Sequence, residues 1–414
     1  METTEAFVGL TCVDCGETFD AETATHRCPD CDGILDPDYD YDAVRRSLTS
    51  NRSSSNSDDA IDLMRETLES RRFDSMWRYE ELLPFPRESA VTMDEGATQL
   101  VECPDLAEEL GVGRVLLKDE GRNPTGTFKD RGQTAAVTAA VQHGATDVAL
   151  NSAGNAGQAA AAYAARAGLD SHVFLPSRSG FTNKAMVNVH GGDLTVVEGR
   201  IGDAGEAYAD AMAEHDDWYS VKTFVTPYRH EGKKTMLYEV VEQNDWEVPD
   251  AVVYPTGGGV GLVGMHKAAK ELRELGLTDE LPSMYAAQSS GCAPVVEAFE
   301  EGKDVHEVWE VPDTICGGIE IPDPGASPLI LDALRESDGG AVATSDEDIL
   351  DSAVAVAQRE GLEMGATCAA AASGAWELAR RGEFDEDDTV VLLNTGAGNK
   401  DDDVLRSHLM SKGI

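Results

Sequence analysis

The chain has 414 residues and a formal net charge of −44, from 77 acidic against 33 basic side chains. A chain of that length buries one large two-lobed core or two to three small domains. So acidic a composition leaves no basic stripe for a general nucleic-acid surface, and no apolar run is long enough to span a bilayer. Met1–Leu10 carries two glutamates and no basic residue, unlike a secretory signal, so a soluble cytoplasmic protein is expected. The acids are spread along the chain rather than gathered in a tail. Dense surface carboxylates of this kind stay hydrated in concentrated salt while their repulsion is screened, which points to a halophilic host.

Residues 1–40 read as a separate small unit. Cys12-x-x-Cys15 and Cys28-x-x-Cys31 are separated by twelve residues. Two such pairs suit tetrahedral coordination of zinc by four thiolates, each pair forming a knuckle. Gly16 and Gly33 follow the two pairs and can take the turn conformations a knuckle needs. Four thiolates close the shell, so the zinc would be structural; iron in the same set and a pair of disulfides are the alternatives. The remaining cysteines, Cys103, Cys292, Cys316 and Cys368, are scattered and read as reduced, mostly buried side chains.

Residues 41–75 are expected to act as a flexible linker, with a polar, low-complexity run over residues 47–59. Within them, Ile61–Leu68 reads as a short helix after an aspartate cap. Trp77–Leu83 has helical spacing and ends at Pro84. From Val91 onward strands and helices alternate. Strands are expected at Val115–Leu117, Val148–Leu150, His172–Leu175, Asp193–Val197, Ala251–Tyr254, Ser283–Ala287 and Val390–Leu393. Helices are expected at Thr134–Gln142, Gln158–Ala167, Lys184–Val189, Asp203–Glu214, Gly232–Gln243, Val263–Leu275 and Asp346–Glu360. Apolar, non-alternating strands between helices imply an α/β core of parallel sheets covered on both faces, over residues 76–414. Ligands in such sheets bind outside the carboxyl ends of the strands. Asp313–Pro328, rich in Pro and Gly, reads as a long loop and a candidate lid.

Three strand-to-helix turns carry chemistry. Asn123-Pro-Thr-Gly-Thr-Phe-Lys-Asp-Arg-Gly132 puts Lys129 at a helix start, where it could form an imine with an aldehyde cofactor. Asn151-Ser-Ala-Gly-Asn-Ala-Gly-Gln158 is a small-residue turn bearing Asn155. Pro255-Thr-Gly-Gly-Gly-Val-Gly-Leu262 can close backbone N–H groups around an anion at a helix N-terminus. Each alone also suits an ordinary loop or tight turn; the three together, in this order, are far more specific.

On these residues the chain resembles the fold-type-II enzymes dependent on pyridoxal phosphate, and within them the threonine synthases. Lys129 stands in the family's Schiff-base string, with Thr127 in its Ser/Thr slot. Glu95-Gly-Ala-Thr-Gln-Leu100 resembles the family's Glu-Gly-x-Thr-Pro-Leu, with Gln99 for proline. Arg229-x-Glu-Gly-Lys-Lys-Thr235 and Asn394-Thr-Gly-Ala-Gly-Asn-Lys-Asp401 resemble two further family segments, and zinc ribbons precede several archaeal members. The resemblance implies a two-lobed architecture similar to the tryptophan synthase β chain, with the smaller lobe within residues 120–225. It implies that Lys129 binds the cofactor and acts as general acid and base. Gly257, Gly258, Gly259, Val260 and Gly261 would hold the cofactor phosphate, Asn155 would contact the ring hydroxyl, and Thr395 would face the ring nitrogen. Ser152 would bind the substrate carboxylate, and Thr127, Lys184 and Arg229 its phosphate. Asp130 and Arg131 read as a structural pair.

The reaction implied is conversion of O-phospho-L-homoserine and water to threonine and phosphate. Ala153, Ala156 and Gly157 stand where many members carry hydroxyls, and Thr226 where asparagine is common; in the family these positions help bind the leaving phosphate. A threonine or serine dehydratase, or a β-replacement enzyme, is the alternative. A non-catalytic amino-acid sensor is a third reading, against which intact Lys129, Asn155 and Thr395 argue. Family members are often dimers, which leaves a homodimer as an open expectation.

Overall fold

The computed structural model of the protein describes residues 1–49 and 57–413. Its strands are β1 (Phe7–Cys12), β2 (Thr18–Phe19), β3 (Leu35–Tyr39), β4 (Leu100–Glu102), β5 (Arg114–Asp119), β6 (Asp147–Asn151), β7 (Asp170–Pro176), β8 (Asp193–Val197), β9 (Trp218–Ser220), β10 (Ala251–Pro255), β11 (Ser283–Ser289), β12 (Gly340–Thr344) and β13 (Thr389–Asn394). They form three sheets, in the orders β2-β1-β3, β8-β7-β6-β9 and β12-β11-β10-β13-β5-β4. The first is antiparallel and the second parallel throughout. The third is parallel except for β4, which runs antiparallel to β5 at the edge.

The chain divides into two compact units: Met1–Ala97 with Lys129–Tyr238 and Lys267–Asp279, and Thr98–Phe128 with Glu239–His266 and Glu280–Ile414. In the first unit, Val148, Ala149 and Leu150 of β6 are fully buried, as expected of a strand covered on both faces. The helices Lys129–Gln142 and Asn155–Ala167 pack side by side. Both are alanine-rich and buried along most of their length, so they show little amphipathic period. The ribbon has its own sheet but not its own core. Leu10, Cys12, Ala24, Cys28 and Leu35 belong to one apolar cluster with Ala136, Val148 and Tyr219.

In the second unit, Val115, Leu117, Val253, Ala287 and Leu392 pack with Ala370–Ala372 and Ala375 of the helix Ala370–Arg381. The loop from Asp313 is tied down at its start. Thr314 Oγ1 and the Ile315 amide donate to the Asp346 carboxylate at 2.6 and 2.8 Å, and a helix begins at Ser327.

The helices Lys129–Gln142, Asn155–Ala167, Phe181–Val189, Arg229–Gln243 and Val260–Leu275 each begin three to five residues earlier than apolar periodicity predicts. Their first turns carry the polar and glycine residues of the motifs, which break the hydrophobic pattern without breaking the helix. Asp346–Glu360 begins where expected, capped by Ser345, whose Oγ accepts the Asp348 amide at 3.1 Å. Met76–Leu82 is a 3₁₀ helix rather than an α-helix. Part of the predicted linker is helical, over Tyr41–Thr49 and Ser57–Glu69, and residues 50–56 of it lie outside the described residues. Strands β4, β9 and β12 and the helices Pro104–Leu110, Pro294–Glu300, Ser327–Glu336 and Ala370–Arg381 were not legible, being short or without clean periodicity. Among the described residues no helix is long and apolar enough to cross a membrane.

Candidate active site

In the first unit Lys129 is the first residue of its helix and is half-buried. Asn155 opens the neighbouring helix after Gly154, whose φ of 149° suits glycine. Gln133 Nε2 donates to the Ala156 carbonyl at 3.4 Å, which sets the first turns of the two helices side by side. Ser152 Oγ accepts the Gly154 and Gly157 amides at 3.0 and 3.1 Å, so this hydroxyl shapes the turn and keeps only its O–H to offer a substrate. The buried Oδ1 of Asn155 has no hydrogen-bond partner among the described residues, and neither have those of Asn151 and Asn183. A Cβ on Gly154 would lie 2.5 Å from Asn183 Nδ2. No sequence signal singled out Asn183, which is remote in the chain from that turn.

The Lys129 helix meets the helix Arg229–Gln243 through two glycines. A Cβ on Gly232 would fall 1.7 Å from the Arg131 carbonyl oxygen, and one on Gly132 would lie 3.4 Å from Arg229 Nε. The Arg229 guanidinium therefore lies one turn along from Lys129. It is buried, and its Nη1 donates to the Val221 carbonyl at 3.4 Å. Arg131 Nη1 donates to Thr235 Oγ1 at 3.0 Å, joining the same two helices. Lys184, half-buried, donates to the Ser177 carbonyl at 2.5 Å. Glu95 is a buried anchor that spacing did not reveal. It accepts from Trp77 Nε1 and Tyr163 Oη, both at 2.7 Å, and so fixes the Glu95-Gly96 segment.

In the second unit β10 delivers Thr256 and the glycine turn to the start of the helix Val260–Leu275. Thr256 N donates to Ala287 O at 2.7 Å and Gln288 Nε2 to Thr256 O at 3.0 Å, holding the turn in register. Among the described residues the amides of Gly257, Gly258 and Gly259 donate to no backbone carbonyl. Gly259 has φ 70°, with Ile330 Cδ1 2.2 Å from where a Cβ would stand, and a Cβ on Gly261 would lie 2.0 Å from Tyr254 Oη. Beside Gly258 there is open space. Thr395 follows β13. Its carbonyl accepts the Phe128 amide at 3.0 Å, and Thr127 pairs with Gly396. Residues 127 and 128, immediately before Lys129, are thus pinned to the Thr395 turn. Thr395 Oγ1 donates to Cys368 Sγ at 3.3 Å. Burial first of all pushes the Cys368 thiol up to about 12, so the group stays neutral.

The sulfurs of Cys12, Cys15, Cys28 and Cys31 lie within 4.8 Å of one another, and none of the eight cysteines forms a disulfide. Gly16 takes φ 76°. Gly33 matters for another reason: a Cβ there would lie 2.6 Å from Cys12 Sγ.

Residues 91–396 match the family model described as pyridoxal-phosphate dependent enzyme. The chain belongs to this family. It is 35% identical to threonine synthase of Methanosarcina acetivorans over 95% of this chain and 92% of that protein. It is likewise 35% identical to threonine synthase of Methanocaldococcus jannaschii, over 95% and 93%. Threonine synthase of Mycobacterium tuberculosis strain H37Rv is 36% identical over 78% of this chain and 88% of its own. Among solved structures, Escherichia coli diaminopropionate ammonia lyase superposes with a TM-score of 0.67 at 18% identity, covering 78% of this chain and 89% of that one. Processed threonine deaminase isoform 2 of Solanum lycopersicum gives 0.65 at 20%, covering 77% and 88%. These likenesses show the fold-type-II architecture. The residues present suit the family's cofactor. The glycine turn offers amides without backbone acceptors beside open space, and Asn155 keeps a buried oxygen without a partner.

Proposed function

We infer that this pyridoxal-phosphate dependent enzyme is a threonine synthase, converting O-phospho-L-homoserine and water to threonine and phosphate. The observation that carries this is 35% identity to archaeal threonine synthases over 95% of the chain. The bound cofactor would supply the electron sink that makes substrate C–H bonds acidic. Lys129 holds it and moves protons at the substrate's α and β carbons. Gly257–Gly261 bind the cofactor phosphate through backbone amides at a helix start, where the helix dipole favours an anion. Asn155 would contact the ring oxygen. Thr395 would face the ring nitrogen; a hydroxyl, unlike a carboxylate, does not hold that nitrogen protonated, which suits elimination and replacement. The Ser152 O–H and neighbouring amides orient the substrate carboxylate. Arg229, Thr127 and Lys184 receive its phosphate, a dianion that needs cationic and hydroxyl donors.

The four-cysteine cluster suits structural zinc. Sulfurs about 2.3 Å from a tetrahedral zinc stand about 3.8 Å apart; Cys12 and Cys31 are 3.5 Å apart and Cys15 and Cys28 3.7 Å. Buried cysteines without disulfides at Cys103, Cys292, Cys316 and Cys368 suit a reducing, cytoplasmic compartment, and the charge of −44 a salt-rich one.

The test is to incubate the holoenzyme with phosphohomoserine in concentrated KCl and assay phosphate and threonine together. Equal release, with a visible cofactor band that Lys129→Ala abolishes, is expected. A keto acid formed from threonine or serine without phosphate release would make the enzyme a dehydratase instead.

A further inference from the structure

The stretch between β9 and the Arg229 helix is gripped by the ribbon. Phe224, in the middle of it, has φ 57°, a left-handed conformation that is strained for a non-glycine residue. Such a residue persists when its surroundings over-determine it. Here Arg27 Nη1 donates to the Phe224 carbonyl at 2.9 Å. Four residues earlier, the Ser220 amide donates to His26 Nε2 at 3.1 Å. Tyr219 Oη donates to the Thr25 carbonyl at 3.3 Å, and the rings of His26 and Tyr219 are 4.5 Å apart. Thr25, His26 and Arg27 are the three residues leading into Cys28. One short arm of the cysteine knuckle therefore fixes the end of β9 at two points and the stretch after it at a third.

The ribbon also holds the far side of Arg229. His230 Nε2 pairs with Asp36 Oδ1 at 2.7 Å, and Tyr39 Oη donates to Glu231 Oε2 at 2.5 Å. Arg229 thus sits between two anchors that the ribbon supplies, and its guanidinium rests on the carbonyl of Val221, inside the gripped stretch.

We propose that Arg27 is a positioning residue for the substrate's anionic group, through its hold on the Phe224 turn and hence on Arg229. The proposal rests on the assignment of Arg229 to the substrate phosphate made above. Without the Arg27 bond, Phe224 relaxes toward an ordinary right-handed or extended conformation. The Val221 carbonyl shifts with it, and the guanidinium loses its fixed direction. Binding of a phosphate dianion, which depends on the angle of the planar fork, then weakens.

The test compares full-length holoenzymes of wild type, Arg27→Ala, Arg27→Lys and Arg229→Met. Two quantities are read: steady-state kinetics with phosphohomoserine, and equilibrium binding of inorganic phosphate by calorimetry. Arg27→Ala is expected to raise KM and the phosphate dissociation constant about tenfold, equivalent to about 1.4 kcal/mol. Its kcat and visible cofactor band are expected to stay as in wild type, and Arg27→Lys to recover part of the loss. Unchanged KM and phosphate affinity in Arg27→Ala would overturn the proposal. So would a joint fall of kcat, cofactor content and melting temperature, which would mark a bare folding role. If Arg229→Met leaves KM and phosphate binding untouched, it is the assignment of Arg229 that fails, and the inference falls with it.

Discussion

Gly258 and Gly259 are neighbours in sequence and opposites in surroundings. Gly259 has a left-handed φ and no room for a Cβ against Ile330, whereas nothing lies near Gly258. Gly259→Ala is therefore expected to destabilise the protein by about 1–3 kcal/mol through overpacking and backbone strain, measured by chemical denaturation. Gly258→Ala should leave the denaturation midpoint unchanged but weaken cofactor binding, because its methyl would stand in the open side of the cradle. Wild-type affinity in a pyridoxal phosphate titration of Gly258→Ala would remove that turn from the cofactor site. The run of glycines was legible as an anion cradle from its place between a strand and a helix. Which glycine serves packing was not, because Ile330 arrives from a remote part of the chain. The same holds for Gly232, whose neighbour is the Arg131 carbonyl just over a hundred residues earlier.

The contact of β3 with the Arg229 helix is a buried ionic cluster. The Lys267 ammonium donates to Asp36 Oδ1 at 2.7 Å, to the Pro37 carbonyl at 2.6 Å and to Glu231 Oε1 at 2.7 Å, which uses all three of its protons. Lys234 pairs with Glu231 at 2.7 Å and Glu271 at 2.9 Å, and Tyr238 donates to Glu271. Asp36, His230 and Glu231 converge as a metal site would, but the cation among them is this lysine. Lys267→Met would leave Asp36 with His230 and Glu231 with Lys234 and Tyr39, and should cost about 3 kcal/mol, read from denaturant midpoints. Burial alone would raise the Asp36 carboxyl, yet Lys267 and His230 outweigh it and hold it well below the usual carboxylate range. A depressed folded-state pKa gives stability that is complete above the unfolded value, about 3.9, and is lost as pH falls below it. The stability difference between wild type and Asp36→Asn should therefore be flat above pH of about 5 and shrink below pH of about 4. A difference that instead changes between about pH 6 and 8 would place the controlling titration elsewhere. No residue pattern announced this cluster. Its members lie on the ribbon and two separate helices, and each looks like an ordinary surface charge in sequence.

Across the whole molecule the balance of 77 acids against 33 bases leaves most carboxylates on the surface, with a handful such as Glu95, Glu120, Glu231, Glu239 and Glu271 buried. Their mutual repulsion opposes the compact state and is screened by salt. The Debye length falls from about 10 Å at about 0.1 M to about 3 Å at about 1 M. The melting temperature should therefore rise steadily with KCl over that range. The effect of Lys267→Met should change little, since its ion pairs are shielded from solvent. A melting temperature that is flat or falls with salt would refute adaptation of this surface to high salt.

By itself the sequence determined the alternation of strands and helices, the fold class, the turns that carry Lys129, Asn155 and Gly257–Gly261, and the four-cysteine set. Each is a local pattern: a hydrophobic period, a glycine at a turn, or a pair of thiols two residues apart. The tertiary structure alone decided that the ribbon shares a core with the Lys129 helix, that Lys267 fills the Asp36–Glu231 cluster, and that Arg27 holds the turn before Arg229. Those contacts join residues tens to hundreds of positions apart, and burial and partner choice at such separations leave no periodic trace in the chain.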